Sequence, residues 1–169
     1  MKEALLSIIK DENRIITGQI DPQYLSDNLG RKKGTAEAVV FPVSTEEVSG
    51  VMRYAWENNL PVTPRGAGTN LVGSTVPSGQ GIVLDVSLMI HVLELDEETF
   101  TATVEAGVVL EDFQAYVESK GLFYPPDPGE KKATIGGNIS TNAGGMRAVK
   151  YGVTRDYVMG LELVLADGT

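Results

Sequence analysis

The chain has 169 residues, of which 42% are hydrophobic and 22% are charged, a balance typical of a soluble protein with a buried core. Its 14 basic and 23 acidic residues give a net charge of −9, which disfavours nucleic acid as a partner because the chain would repel a polyphosphate. No cysteine is present, which excludes disulfides, zinc–thiolate sites and iron–sulfur clusters within this chain. No apolar run is long enough to predict a membrane span.

The N-terminal residues predict a helix followed by an irregular arm. The stretch MKEALLSIIKDENRI mixes acidic with apolar residues and lacks a small-residue cleavage site, so it favours an amphipathic helix over a signal peptide. A cytoplasmic location is the corresponding expectation. Residues 20–35 show no sustained hydrophobic period. We therefore expect residues 1–35 to precede a domain that spans residues 36–169.

The first regular structure is predicted to be a βαβ unit. Ala38–Phe41 favours a strand, and Ser44 with Glu47 forms a capping-box pattern that opens an amphipathic helix. Leu60–Thr63 favours a second strand. Pro64 is expected to end regular pairing there, which would place the following glycines at the end of a strand.

The middle of the chain predicts a third strand, a hairpin and a second helix. Ile82–Asp85 favours a strand, and His91–Leu95 is expected to pair with Thr99–Glu105 across an acidic turn. Apolar residues at helical spacing predict a helix from Leu110 that ends at Gly121.

The last residues predict a strand, Leu161–Ala166, followed by a turn at Asp167 and Gly168. An Asp-Gly turn commonly joins two paired strands, and here no second strand follows. This pattern suggests a polypeptide that is part of something longer.

The first glycine segment, Arg65 to Gly73, has the composition of an anion-binding loop. Its glycines permit positive φ and allow successive N–H groups to converge on an anionic oxygen. A dinucleotide-binding fingerprint would need glycine in place of Leu71, and a Walker loop would need lysine in place of Ser74. Both motifs are therefore absent, and a tight turn without a ligand remains the alternative.

The second glycine segment, Thr134 to Gly145, is too polar to fill a core. It contains four glycines, two threonines, one serine and two asparagines, which supply many donors and little apolar area. A flexible linker is the alternative, but Ile135, Ile139 and Met146 recur at intervals that favour ordered backbone. The segment is thus predicted to line a ligand.

Acidic residues are missing around both glycine segments. None occurs from Pro61 to Leu84 or from Lys131 to Arg155, and the second window also holds Lys132, Arg147 and Lys150. This distribution favours an anionic ligand in a chain that is acidic as a whole.

These stretches, in this order, resemble one flavoprotein family. AEAVVFPVSTEEV, PVTPRGAGTNLVG, PPDPGEKKATIGGNISTNAGGMRAVKYG and MGLELVLADGT are similar to the family of vanillyl-alcohol oxidase and p-cresol methylhydroxylase (PCMH), in the branch of glycolate oxidase and D-lactate dehydrogenase flavoproteins. The resemblance covers residues 36–169. It implies an α+β fold, with two α/β lobes (36–85 and 86–169) of a PCMH-type FAD-binding domain, truncated before its last strands and its cap domain.

The resemblance also implies a cofactor and its contacts. The implied FAD-binding positions are Arg65, Gly66, Ala67, Gly68, Thr69, Asn70, Gly73, Ser74, Asp127, Thr134, Gly136, Gly137, Thr141, Gly144 and Gly145. The implied activity is oxidation of a small 2-hydroxy acid, glycolate or D-lactate, with electrons passed to a separate acceptor. A nucleotide- or FAD-binding module without redox activity, and a structural domain whose glycines serve only turns, are the alternatives.

Covalent attachment of the flavin is not expected. Relatives with covalent flavin use histidine or cysteine, and the single histidine of this chain, His91, falls in the predicted hairpin. His91 is expected to be a surface residue with no orienting partner. Because the cap domain supplies most catalytic groups in the family, no catalytic residue is assigned, no metal site is predicted and the fragment alone is expected to be inactive. Unpaired strand edges favour self-association.

Overall fold

The computed structural model describes residues 1–169, which divide into two compact units. Unit 1 contains Met1–Leu88 and Glu162–Thr169, and unit 2 contains Met89–Leu161. Residues 1–35 therefore lie inside unit 1, together with the βαβ unit, and the division falls after Leu88 instead of after residue 85.

Unit 1 is built on a four-stranded sheet with the order β1-β2-β4-β3. The strands are β1 (Ile15–Thr17), β2 (Ala38–Val40), β3 (Val62–Arg65) and β4 (Ile82–Asp85), and the helices are α1 (Lys2–Ile9) and α2 (Thr45–Glu57). Strand β4 pairs in parallel with both β2 and β3, and β1 pairs antiparallel with β2. The βαβ prediction is confirmed, with β4 inserted between its two strands. The short strand β1 was not predicted, because three residues show no alternation.

Apolar residues from both helices and the central strands form the core of unit 1. Leu5 and Ile9 of α1 and Val51 of α2 are fully buried against the strands, which confirms the amphipathic N-terminal helix. At the start of α2, Ser44 Oγ accepts a hydrogen bond from the Glu47 N–H at 3.3 Å. The predicted cap is therefore present.

The prediction that Pro64 ends the pairing of β3 is wrong. Pro64 is in register with Leu84 of β4, and β3 continues to Arg65. Strand β3 lies at the edge of the sheet. Since a proline lacks only the N–H donor, an edge strand accepts it when that donor would face away from the ladder.

Unit 2 combines a hairpin with three helices. Its elements are β5 (Val92–Asp96), β6 (Thr101–Val104), α3 (Leu110–Glu118), α4 (Ile135–Thr141) and α5 (Ala148–Tyr151). The antiparallel hairpin and the helix α3 confirm the predictions. Leu110, Phe113 and Ile135 form its core with Val108 and Val117. The second glycine segment is ordered, since it begins as α4.

The strand predicted at Leu161–Ala166 is not formed. The segment pairs with no other strand, and the alternating side chains of Leu161, Leu163 and Leu165 are exposed. Alternation alone therefore did not produce a strand, because the partner ladder is missing. The predicted turn is present, with the Gly168 N–H donating to the Leu165 carbonyl oxygen at 3.0 Å.

No helix in this structure has the length and apolar character needed to cross a lipid bilayer.

Candidate functional site

In unit 1 the first glycine segment begins at a buried ion pair. Arg65 and Asp85 are register partners at the ends of the parallel strands β3 and β4, and their side chains are 9% and 4% exposed. Arg65 Nε lies 3.8 Å from Asp85 Oδ2. Arg65 Nη1 donates to the carbonyl oxygen of Ser26 at 3.0 Å, and its guanidinium lies 5.8 Å from the ring centre of Tyr24. The Arg65 side chain is thus directed into the unit.

Burial dominates the titration of this pair. It raises the pKa of Asp85 above its ordinary value, although Ser87 donates a hydrogen bond to the carboxylate and Arg65 lies nearby. Burial also lowers the pKa of Arg65, against the attraction of Asp85. Arginine remains protonated even so, because a guanidinium gives up its proton only in strong base. The site therefore keeps a buried cation directly beneath the loop.

The residues after Arg65 present unused backbone donors. None of the N–H groups of Gly66 to Asn70 donates a hydrogen bond within the chain. Gly68 has φ of +69°, and a β-carbon there would overlap the Arg65 guanidinium. The main chain thus lies directly on the guanidinium, as only glycine permits.

Asn70 shapes the rest of the first glycine segment. Its Oδ1 accepts hydrogen bonds from the N–H groups of Val72 at 3.3 Å and Ser74 at 3.1 Å, and its Nδ2 donates to Thr75 Oγ1 at 2.7 Å. This turn leaves the apolar side chain of Val72 82% exposed. Asn70 is therefore engaged within the loop through its side chain and keeps its N–H free.

The arm of residues 20–35 borders the same loop. The N–H of Asn28 donates to the Asn70 carbonyl oxygen at 3.2 Å, and Thr35 forms a bridge with Ser78. A cleft of about 200 Å³ separates residues 27–32 from residues 71–73. Arg31, Lys32 and Asp27 line it and form no ion pair, so the cleft holds two cations and one acid.

In unit 2 the second glycine segment uses most of its donors internally. Thr134 Oγ1 accepts from the Gly137 N–H at 3.2 Å, which caps α4. The Gly136 N–H donates to the Ala106 carbonyl oxygen at 2.9 Å, and a β-carbon at position 136 would come within 2.8 Å of Ala106. Thr141 Oγ1 donates to the Gly137 carbonyl oxygen at 3.0 Å. Close packing therefore explains much of this composition.

Asp127 is the most buried acid of unit 2 and has two cationic neighbours. Its carboxylate oxygens lie 2.7 Å from Lys131 Nζ and 3.4 Å from Arg147 Nε. Oδ1 is buried, and the Lys131 approach does not have hydrogen-bond geometry. Lys131 and then Arg147 hold the pKa of the Asp127 carboxyl below its ordinary value, against the effect of burial. Asp127 is therefore ionised at neutral pH and paired with two cations.

Gln114 positions the proline-rich stretch that carries Asp127. Its Nε2 donates to the carbonyl oxygens of Tyr124 at 3.2 Å and Pro126 at 2.9 Å. Sequence reasoning missed Gln114, as it missed Asp85. A buried polar residue on the apolar face of a helix was the available signal.

The remaining predicted positions lie where the backbone is open. Gly73 has φ of +78°, and a β-carbon there would meet only Val76, at 4.0 Å. A β-carbon at Gly144 would lie 3.4 Å from Val153, an ordinary contact distance. His91 is exposed, as predicted. The expectation that it lacks a partner is wrong, because its Nδ1 lies 2.8 Å from Glu105 Oε2 across the hairpin.

A larger cleft of about 410 Å³ lies in unit 2 between α3 and β5. It contains no residue of either glycine segment. The predicted positions therefore lie outside this cleft.

Comparison with known proteins decides the family. The model of the FAD binding domain family matches residues 36–169, which include both glycine segments. This chain belongs to the FAD binding domain family. The predicted PCMH-type domain and its α+β fold are thereby confirmed.

Named relatives of this FAD binding domain act on hydroxy acids. Glycolate oxidase subunit GlcD of Bacillus subtilis is 47% identical over 99% of the chain, and D-lactate dehydrogenase of Anaerostipes hadrus is 46% identical over 92% of it. The chain spans 36% and 33% of the lengths of these two relatives.

A solved structure shows the same fold. The 6-hydroxy-D-nicotine oxidase of Arthrobacter nicotinovorans matches 92% of the chain with a TM-score of 0.77 and 27% identity, and the match covers 34% of the oxidase.

The chemistry of the first glycine segment fits FAD. The cofactor carries a diphosphate, and five consecutive free N–H groups at residues 66–70 are the donors that such an anion needs. The buried Arg65 cation adds positive potential beneath them.

Proposed function

We propose that this chain is the FAD-binding part of a flavin-dependent oxidoreductase that oxidises a small 2-hydroxy acid such as glycolate or D-lactate. Two lines of support meet in this proposal. The family is an FAD binding domain, and both named curated relatives are enzymes of such substrates. The structural observation that carries it is the run of free N–H groups from Gly66 to Asn70.

The first glycine segment would hold the diphosphate of FAD. N–H groups of Gly66 to Asn70 would donate to its oxygens, and the Thr69 hydroxyl would add a further donor. Gly73 and Ser74 would continue this wall beyond the turn that Asn70 shapes. When bound, the flavin ring supplies the redox chemistry by accepting electrons from the substrate.

Asp127 and the second glycine segment are proposed as further FAD contacts. An ionised Asp127 carboxylate without a hydrogen-bond donor in good geometry at Oδ1 suits a hydroxyl of the cofactor, because a charged acceptor makes a strong hydrogen bond. The N–H groups of Gly144 and Gly145 have no acceptor in the chain, which suits donation to a ligand. The sequence resemblance is the basis on which four further contacts are proposed: Thr134, Gly136, Gly137 and Thr141.

The cofactor is proposed to be bound without a covalent link. The chain has no cysteine, and its single histidine is paired with Glu105 on the hairpin. A separate electron acceptor and a cytoplasmic location belong to the same proposal, which cell fractionation and acceptor screening would test. Self-association through the exposed residues Leu161, Leu163 and Leu165 is proposed as well, and sedimentation analysis would test it.

Spectroscopy of the purified chain tests the cofactor proposal. We expect the chain to bind added FAD with a shifted visible spectrum, and acid precipitation to release all of the flavin into the supernatant. Gly68→Ala should weaken binding because its β-carbon would displace the Arg65 guanidinium beneath the loop. Gly18→Ala is the matched control, since Gly18 also has positive φ but no atom within 4 Å. Equal FAD binding by both variants would argue against the proposal.

A further inference from the structure

The Arg65 side chain is buried inside unit 1 and is not directed toward the solvent. Its guanidinium is enclosed by Asp85, the Ser26 carbonyl and the ring of Tyr24. The sequence resemblance places Arg65 among the FAD contacts, yet its side chain is only 9% exposed. The groups around it inside unit 1 therefore determine what its side chain does.

We propose that Arg65 and Asp85 are positioning residues, a buried pair that holds the first glycine segment in its anion-binding conformation and joins the arm of residues 20–35 to it. The proposal rests on the proposed function only for its effect on FAD affinity. Its effect on the conformation of the free protein stands without any ligand.

The contact with Gly68 connects the pair to the loop. The main chain at Gly68 lies so close to the guanidinium that a β-carbon would overlap Nη2. Protein interiors are close-packed and shift little. The position of the guanidinium therefore determines the position of the Gly68 main chain that packs on it. A displaced guanidinium would leave a gap that Gly68, with its wide range of φ and ψ, would readily fill.

The arm is connected through the same group. Arg65 Nη1 bonds the Ser26 carbonyl oxygen, and the Asn28 N–H bonds the Asn70 carbonyl oxygen. The arm is thus bonded to Arg65 through Ser26 and to Asn70 through Asn28. Loss of the Arg65 contact is therefore expected to loosen residues 24–28 and residues 66–70 together.

Asp85 has the task of fixing the guanidinium. It is the only carboxylate that forms an ion pair with Arg65, and the Ser87 N–H holds its Oδ1 at 2.9 Å. Asp85 makes no hydrogen bond to the first glycine segment. A buried cation without a partner is strongly unfavourable. If the Asp85 charge is removed, the Arg65 guanidinium is therefore expected to move toward solvent and to lose its contact with Gly68.

Two substitutions and one matched control test the proposal in the full chain. Asp85→Asn keeps the shape and the acceptor for Ser87 but removes the charge. Arg65→Lys keeps the charge but removes the fork that reaches both Ser26 and Asp85. Glu47→Gln breaks a second arginine–carboxylate pair of unit 1, Arg14 with Glu47, whose side chains are both 17% exposed. Glu47 contacts no residue of the loop.

Amide NMR spectra of the free proteins give the first readout. We expect Asp85→Asn and Arg65→Lys to shift the N–H signals of residues 66–70 and of residues 24–28, and to speed hydrogen exchange at least about tenfold at the Asn28 N–H, which is bonded to Asn70. Glu47→Gln should leave those signals in place while lowering the unfolding temperature. If one of the two variants Asp85→Asn and Arg65→Lys does not fold, the other alone tests the proposal.

FAD titration gives the second readout, at a temperature where each variant is folded. A loop that is no longer preorganised should bind FAD roughly tenfold or more weakly, whereas Glu47→Gln should bind like the parent. Unchanged loop signals in both loop variants, or equal losses in all three variants, would overturn the positioning role. Failure of the parent to bind FAD would count against the proposed function alone, because the shifts in the free protein would still stand.

Discussion

Gly145 lies so close to the main chain of Asp127 that a β-carbon at position 145 would overlap the Asp127 carbonyl oxygen. Its φ is +137°, a conformation that side chains with a β-carbon rarely adopt. This glycine therefore joins the end of the second glycine segment to the proline-rich stretch of unit 2. The contact exists without any ligand.

Gly145→Ala should destabilise unit 2 by about 2–4 kcal/mol, because the overlap and the unfavourable φ add together. Gly129→Ala is the control, since Gly129 has φ of +87° but no atom within 4 Å, and it should cost about 1 kcal/mol. Urea unfolding followed by circular dichroism would measure both. A Gly145 variant as stable as the Gly129 variant would mean that the close approach is not maintained in solution.

The Arg14–Glu47 pair should make the stability of unit 1 depend on acid. Arg14 Nη1 and Nη2 lie 2.5 and 2.8 Å from the two Glu47 oxygens. Burial works to raise the pKa of Glu47, but hydrogen bonds from Arg14 and from the Val43 N–H bring it below its ordinary value of 4.5. A carboxyl whose pKa is lowered by folding stabilises the fold above the unfolded pKa and loses that contribution as the pH falls through the folded pKa.

Glu47→Gln should therefore lower the free energy of unfolding by about 1–3 kcal/mol at pH 7. The gap between variant and parent should close as the pH drops below 4.5. Glu3→Gln, at an acid of α1 without an ion pair, serves as the control and should have little effect. A gap that stays constant down to pH 3 would show that the ionised carboxylate is not the source of the stability.

Asn70→Ala should weaken FAD binding by about tenfold, because two N–H groups and Thr75 lose their partner and the turn is no longer fixed. Asn58→Ala removes a comparable amide, whose Nδ2 donates to the Tyr54 carbonyl oxygen at the end of α2, and should leave FAD affinity unaltered. Fluorescence titration of both variants provides the comparison. If Asn70→Ala bound FAD with the affinity of the parent, the turn that Asn70 shapes would not contribute to FAD binding.

Thr134→Ala should cost about 1 kcal/mol, the usual loss when a helix N-cap is removed. Thr134→Ser keeps the hydroxyl that accepts from Gly137 and should retain most of that stability. Thermal unfolding of the pair distinguishes a cap from simple packing of the threonine methyl group. Equal losses in both variants would assign the effect to packing.

Local patterns in the sequence predicted most of the regular elements. The Ser44 cap, the strand Ile82–Asp85 and the hairpin of unit 2 depend on neighbouring residues, so their signals lie within short windows. Strand β1 gave no such signal, because its three residues form a strand only by pairing with β2. For Leu161–Ala166 the local pattern was misleading, because a strand also needs a partner.

The candidate site was predictable where composition alone determines it. The glycines of residues 66–73 indicated free backbone donors without any knowledge of the fold. By contrast, the approach of Asp85 to Arg65 depends on the parallel register of β3 and β4, which no single stretch of sequence specifies. For the same reason, the packing of Gly136 on Ala106 and of Gly145 on Asp127 became visible only in the structure.

A calorimetric comparison of FAD with riboflavin tests most directly whether the first glycine segment holds the cofactor by its diphosphate. Riboflavin carries the same ring system but no phosphate, so we predict that it binds at least about a hundredfold more weakly than FAD, since charge-assisted hydrogen bonds to the diphosphate are lost. ADP should displace FAD. Equal affinities for riboflavin and FAD, with no displacement by ADP, would contradict a diphosphate site at residues 66–70.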